Sequence, residues 1–310
     1  MKEKSLETKI LSFNKDNLNN LIENKATENE TFSIPERTQE HITIAILGPV
    51  SAGKSTFFNA ISSNTCSDMQ RRKTTMLPQY YHITKSDSAI DSIEDIYQRN
   101  KQSNEHILQL RESGQFNHQR DFVEIHHSLK EIKDFIELPD PNATFSILDM
   151  PGLNCGGDDL YYKYTRENSQ KIDIYVLVFD INNGMNTNDE VQILQLVAEQ
   201  VRKNNYGYVH IIMNKCDEIN FDDQEAVTLG DEELDELFCR CRETVDKHMS
   251  GIDVSITPMS SSKLYVYRGV KNNIQSIDES HLDNIIKTEC GRTELRKLTT
   301  IDKKRSFVQV

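Results

Sequence analysis

Apolar residues fall in short runs along this chain, each bounded by glycine, proline or charged residues. His41 to Leu47 is a strand-length stretch rich in β-branched and apolar residues, ended by Gly48. Such a run has no polar face to turn toward water, so it predicts a strand buried on both sides. Thr144 to Leu148, Asp173 to Phe179, Tyr208 to Met213 and Asp253 to Ile256 repeat the pattern, with Gln79 to Thr84 as a further strand. Between them the period changes. Glu190 to Val201 and Asp231 to His248 space their apolar residues three and four apart, as one face of a helix requires. Strands alternating with helices predict an α/β fold, a mostly parallel central sheet with helices on both faces.

Three stretches depart from this rhythm. In residues 1–40, Leu6, Ile10, Leu11, Phe13, Leu18, Leu21 and Ile22 share a broad half of a helical wheel, which predicts an amphipathic helix over 5–24 and a polar linker through Pro35. Residues 85–140 are highly charged. Ile125, Leu129, Ile132 and Ile136 there recur at helical spacing, with a weaker helix over 90–111, so the stretch predicts a helical insertion carrying His126 and His127 on an exposed surface. Beyond 275, Leu282, Ile285 and Ile286 precede an expected break at Gly291, then Leu295 and Leu298. The organisation expected is an N-terminal helix and linker over 1–40, a main domain over 41–275 and a C-terminal helical segment over 276–310.

The first strand runs into Gly48-Pro49-Val50-Ser51-Ala52-Gly53-Lys54-Ser55-Thr56, which fills the pattern G-x-x-x-x-G-K-[ST] where strand must become helix. Glycines at both ends let the loop curl so that backbone N–H groups point at phosphate oxygens, at a helix N-terminus that favours anions. Lys54 would set a positive charge on the β- and γ-phosphates, and Ser55 would offer a hydroxyl to Mg²⁺. A phosphate cradle does not name a base. Asn214-Lys215-Cys216-Asp217, after the strand Tyr208 to Met213, supplies a carboxylate able to accept from guanine N1–H and N2–H, a donor pair adenine lacks. Asn214 and the Lys215 stem would hold the ring and brace the phosphate loop. Asp149-Met150-Pro151-Gly152, at the end of the strand Thr144 to Leu148, offers an aspartate for Mg²⁺ and a glycine amide able to sense a γ-phosphate.

In this order the motifs resemble the GTPase superfamily, and more narrowly the large GTPases of the dynamin superfamily. Ser51 stands where dynamin-like proteins often carry a serine that helps hold a charge-compensating monovalent cation, K⁺ or Na⁺. Leu153 stands where Ras-like proteins keep a water-positioning glutamine. Asn186-Thr187-Asn188-Asp189-Glu190 is similar to the Asn-Ser-Asp loop of dynamins, and the distance from Lys54 to Asp149 is far longer than a minimal small GTPase uses. The resemblance covers about 40 to 300 and implies a P-loop NTPase G domain that takes GTP or GDP with Mg²⁺. Arg71-Arg72-Lys73-Thr74-Thr75-Met76-Leu77-Pro78 resembles a first switch, whose threonine, Thr75 with Thr74 close behind, would bind Mg²⁺ and the γ-phosphate. Ser261-Ser262-Lys263 resembles the element whose backbone amide meets guanine O6, with its register open by one residue.

The expected site is therefore Gly48 to Thr56, Asn214, Lys215, Asp217 and Ser261 to Lys263 on the nucleotide. Ser55, Thr75 and Asp149 would hold the metal, and Ser51, Lys54, Thr75 and Gly152 would act in catalysis. Face-to-face G-domain dimers, as in dynamins, would complete it. Val50 departs from the polar residue dynamins place beside the loop serine, which predicts slow intrinsic turnover. A long stalk and a lipid-binding module are not recognised, so membrane remodelling stays an open part of the resemblance. A regulatory or ribosome-assembly GTPase, or a GTP-binding scaffold with negligible turnover, are the alternatives.

Charge narrows the partners. Thirty-six basic against 49 acidic residues give −13 at pH 7, which disfavours nucleic acid as a partner and nonspecific attachment to anionic membranes. The segment after Met1 lacks the apolar core of a secretory leader, and no apolar run approaches the roughly 20 residues of a spanning helix, so a cytoplasmic location is expected, with membrane association left open. The 6 cysteines then predict free thiols, since Cys239 and Cys241 do not face each other on a helix and no histidine sits at zinc-ligand spacing.

Overall fold

A computed structural model describes residues 41–67, 69, 75–84, 90–130, 144–153, 159–217, 232–272 and 277–308. The helix expected over 5–24, Arg71 to Thr74, Ile132 and Ile136 lie outside them. The apolar runs form the strands expected: β1 (His41–Leu47), β2 (Gln79–Thr84), β4 (Thr144–Asp149), β5 (Ile174–Asp180), β6 (Tyr208–Asn214) and β7 (Val254–Pro258). With β3 (Ile125–Lys130) they make one seven-stranded sheet in the order β3-β2-β4-β1-β5-β6-β7. All pairings are parallel except β2 with β4. This is the mostly parallel α/β sheet that the sequence predicts.

Alternation along the central strands sends side chains to two cores, one on each face. Ile46, Phe145, Ile147, Val176 and Val178 meet Phe57, Phe58 and Ile61 of α1 (Lys54–Ser62) and Ile96 of α2 (Ile93–Glu112). Leu47, Leu148, Tyr175, Leu177 and Met213 meet the other layer. It is built from α4 (Asp159–Asn168), α5 (Asn188–Asn204) and α6 (Glu232–His248), through Tyr161, Ile193, Val197 and Val245. Each fully buried Leu, Ile or Phe contributes about 1.5–3 kcal/mol, which is why the two-sided strands sit at the centre.

The helical insertion is corrected in part. Its first half is helical, as α2 and the short α3 (His118–Asp121). Residues 125–130 are a strand instead, paired in parallel with β2 from Gln79↔Ile125 to Thr84↔Lys130. Ile125 and Leu129 are four apart, a separation that is a whole number of strand repeats as well as about one helical turn, so those two positions fit either period. His126 and His127 therefore point to opposite faces. His127 is buried, while His126 stacks on Tyr80 with ring centroids 5.0 Å apart. With α2 as crossover, the insertion adds a β–α–β unit to the sheet edge.

The C-terminal segment forms α8 (Glu279–Lys297) and α9 (Ile301–Val308). The break expected at Gly291 does not occur, and α8 runs through it to Lys297. One interior glycine costs a helix about 1 kcal/mol, less than Leu282, Ile285 and Ile286 gain by burial against Ala60 of α1 and Tyr265, Val266 and Val270 of α7 (Ser261–Lys271). Cys66, Cys216, Cys239, Cys241 and Cys290 are free thiols, as expected, and Cys155 lies outside the described residues. Among the described residues no helix is long and apolar enough to cross a membrane.

Candidate functional site

The site residues gather at the carboxyl ends of β1, β4, β5 and β6, where an open parallel sheet leaves a crevice. After β1 the chain turns through Gly48 to Gly53 into α1. Gly53 has φ 94°, and a Cβ there would lie 2.2 Å from the Asn214 side-chain nitrogen, so only glycine fits. Ser51 caps the loop's crest in a left-handed conformation, φ 63°, with its side chain exposed. Lys54 is 6% exposed and curls beneath the loop, donating to the carbonyls of Pro49 at 2.8 Å and Gly48 at 3.1 Å.

Three oxygen-bearing side chains converge beside this lysine. Ser55 Oγ lies 3.2 Å from Thr75 Oγ1 and donates to Asp149 Oδ2 at 3.4 Å, and Thr75 Oγ1 donates to the same oxygen at 3.5 Å. The antiparallel β2–β4 pairing brings them together: Gln79, the first residue of β2, sits opposite Asp149, the last of β4, so Thr75 arrives at the carboxylate. Asp149 is fully buried. Burial pushes its carboxyl up to about 6, against the pull of the Lys54 ammonium and the Ser55 and Thr75 hydroxyls. Its Oδ1 is buried without a partner. Two hydroxyls and a carboxylate with an unsatisfied oxygen suit a hard, oxygen-seeking cation such as Mg²⁺, so the residues fit the metal that the motifs imply.

The loop after β4 is tied to the phosphate loop. Leu153 donates its N–H to the Gly48 carbonyl at 3.1 Å, and Pro49 and Leu153 form a parallel bridge. A Cβ on Gly152 would stand 2.6 Å from Val50 Cγ2 and 2.8 Å from Val50 Cα, so the two loops touch through that glycine. Leu153 is 0% exposed and packs in the core with Leu47 and Phe179. It offers nothing polar to a water molecule.

The β6 end is braced the same way. Asn214 donates to the Ala52 carbonyl at 2.8 Å and accepts from the Ser261 amide at 2.9 Å, joining phosphate loop to α7. Lys215, left-handed at φ 66°, pairs its ammonium with Asp180 Oδ2 at 2.6 Å. Asp217 Oδ1 accepts from Ser262 Oγ at 2.9 Å and from Ser260 Oγ. Ser260 did not stand out in the sequence. Its signal is its place as N-cap of α7, where it accepts from Lys263 N at 3.2 Å. Of the element Ser261 to Lys263, the Ser261 amide is taken by Asn214 and the Lys263 amide by the cap. Ser262 and Lys263 line a cleft with Thr56 and Asp217.

Two further residues escaped the sequence reading because they lie far off in the chain. Met76, next to Thr75, donates its N–H to Asn104 of α2 at 2.9 Å and accepts from the Tyr161 hydroxyl of α4 at 3.1 Å. Arg111 in turn donates to that hydroxyl at 3.2 Å. The segment Asn186 to Glu190 has a local role: Thr187 and Glu190 form the capping box of α5, with Glu190 fully buried.

The phosphate loop, the Ser55–Thr75–Asp149 cluster and the braced Asp217 at the strand ends define a P-loop G domain that binds guanine nucleotide. The chain belongs to the elongation factor Tu GTP binding domain family, whose match spans residues 39–289. It is also 25% identical over 240 residues to the uncharacterized protein R618 of Acanthamoeba polyphaga mimivirus, over 75% of this chain and 39% of that one. The chain thus spans well under half of that relative's length. Among solved structures, it is similar to a protein of an oligomerised bacterial dynamin pair (TM-score 0.46, 13% identity, 97% of this chain and 45% of that one). Toc33 of Arabidopsis thaliana (TM-score 0.42, 9% identity, 82% and 78%) and Era of Aquifex aeolicus (TM-score 0.40, 15% identity, 72% and 52%) are similar too. These are three different kinds of protein, and they single out no subfamily.

Proposed function

We propose that this chain is a dynamin-like GTPase that hydrolyses GTP to GDP and phosphate, and that a second copy of the G domain completes its active site. The observation that carries hydrolysis is the convergence of Ser55, Thr75 and Asp149 beside Lys54. When held by these three, Mg²⁺ would draw charge from the β- and γ-phosphates. Lys54 would exchange the Gly48 and Pro49 carbonyls for phosphate oxygens, and the amides of the loop from Gly48 to Thr56 would take the remainder. The Gly152 amide would meet the γ-phosphate, and Asp217, with Ser262 and Lys263, the base. Ser51, exposed at the crest, would help hold K⁺ or Na⁺. Water oxygen then bonds to the γ-phosphorus as the bridge to the β-phosphate breaks. The chain's own residues supply position and charge, and no covalent intermediate is needed.

Completion by a second copy is supported by Leu153, which is buried and tied to the phosphate loop in the place of a water-positioning side chain. Turnover by the isolated domain is therefore slow, and the missing group comes from outside. The test is GTP turnover per mole of protein over a hundredfold concentration range, with ATP as control, with and without liposomes. A specific rate that rises with concentration supports the dimer, and a further rise on liposomes adds membrane contact to a cytoplasmic chain. A flat, slow rate favours a monomeric regulatory switch, GTP binding without turnover a scaffold, and equal turnover of ATP overturns the role of Asp217.

A further inference from the structure

A cleft of about 460 Å³ opens between the end of β6 and the C-terminal segment. Thr56, Asp217 and Ser262 line one side, and these belong to the nucleotide site. The other side is α8, through His281, Asn284 and Ile285. That helix comes after α7 and carries none of the motifs, yet it is held in place by apolar burial on α1 and α7. Those two helices begin at the phosphate loop and at the Ser260 contact with Asp217.

His281 is oriented within this wall. Its Nδ1 lies 2.7 Å from Asp278 Oδ1, the N-cap carboxylate of α8, and its backbone N–H donates to the same oxygen at 3.1 Å. An ionised carboxylate only accepts, so a ring proton sits on Nδ1, and Nε2 is the atom the uncharged form of the ring offers as an acceptor. The ring also packs edge-on to Tyr265, another residue of the cleft, at 5.9 Å between centroids. One carboxylate and one aromatic ring thus fix a side chain that would otherwise rotate freely.

We infer that α8 is the outer wall of the nucleoside subsite, and that His281 binds the nucleoside through Nε2. The inference rests on the assignment of Asp217 to the guanine base. The ligand group is an N–H or O–H donor of the nucleoside, either a ribose hydroxyl or the exocyclic amine. Because α8 is then part of the site, whatever displaces the C-terminal segment loosens the nucleotide, and bound nucleotide holds the segment down, by the same factor.

The experiment measures GDP binding by a fluorescent-analogue competition titration for wild type, His281→Ala, His281→Phe and Asp217→Asn. Amide hydrogen exchange of residues 279–286 is followed with and without GDP. His281→Phe keeps a ring against Tyr265 but removes the acceptor. The expected result is a roughly 5- to 20-fold weaker GDP affinity in both His281 variants, the effect of one lost hydrogen bond, and slower exchange across 279–286 when GDP is bound. In wild type, a loss on going to 2′-deoxy-GDP that is absent in His281→Phe assigns the contact to ribose. A loss with inosine diphosphate that is smaller in His281→Phe than in wild type, the remainder belonging to Asp217, assigns it to the amine. Wild-type affinity in His281→Phe, or exchange in α8 that ignores GDP, overturns the inference. If Asp217→Asn loses guanine preference in that case, the base assignment survives and only the wall falls. If Asp217→Asn keeps wild-type preference, the base assignment falls and takes the inference with it.

Discussion

Asp217 is held by two serine hydroxyls, so the carboxylate proposed to read the base is oriented by the protein itself. Its replacement by Asn keeps the shape and loses the double acceptor. GDP affinity should fall roughly ten- to a hundredfold relative to other purine diphosphates, measured by competition. The residue reading of the histidines changes more. The Asn100 amide donates to the Cys66 carbonyl at 2.9 Å and to the Tyr81 hydroxyl at 3.0 Å, which leaves its oxygen to accept from His127 Nε2 at 2.8 Å. His127 is thus a neutral donor in the core, and burial, helped by the Arg99 charge, lowers its pKa from 6.5 to about 4. The unfolded chain takes up this proton below about pH 6.5 and the folded chain only near 4, so His127 makes folding lose stability as pH falls through that window. His127→Gln should flatten the fall of the thermal midpoint between pH 6.5 and 4, and an unchanged slope would remove His127 from the account. The phosphate loop, Asp149 and Asp217 were legible because their spacing is local. Ser260 and the environment of His127 were not, since each depends on a partner at least 27 positions away.

At the scale of elements, the position of Thr75 is set by helices on either side of it. Asn104 of α2 and Tyr161 of α4 take the two backbone groups of Met76, so the inserted helix and the helix after Gly152 are both bound to the strand that delivers Thr75. Tyr161→Phe keeps the packing and drops the hydroxyl's bonds to the Met76 carbonyl and from Arg111, about 1 kcal/mol each. GTP hydrolysis should slow roughly fivefold, read as a lower kcat, while GDP affinity stays unchanged. A matching loss of GDP affinity would mean the tyrosine only stabilises the fold. Thr187→Ala, which removes the capping box of α5, should cost about 1 kcal/mol in urea unfolding and leave kcat where it was. A fall in kcat at full stability would instead give the segment Asn186 to Glu190 a part in the reaction. The misread elements share one cause. Ile125 and Leu129 satisfy helix and strand periods alike, and Gly291 costs less than the packing of α8 gains, so tertiary contacts decided both.

Over the whole molecule, the C-terminal segment joins the domain through one apolar cluster on α1 and α7. Ile286 is 1% exposed there, and Ile286→Ala should destabilise the protein by about 2–5 kcal/mol, within a single unfolding transition monitored by circular dichroism. Two separated transitions would make α8 and α9 an independent unit. The sequence by itself determined the class of fold and the order of its chemical motifs. Strands buried on both faces must be continuously apolar, and a phosphate loop needs its glycines, lysine and serine at set spacing, so both are written locally. Only the tertiary structure decided the rest. The antiparallel pairing of β2 carries Thr75 to Asp149, β3 adds an edge strand where a helix was expected, and Leu153 is drawn into the core. α8 is laid along the cleft beside Asp217. Each of these joins residues far apart in the chain, and burial and hydrogen bonding between distant segments leave no period in either one.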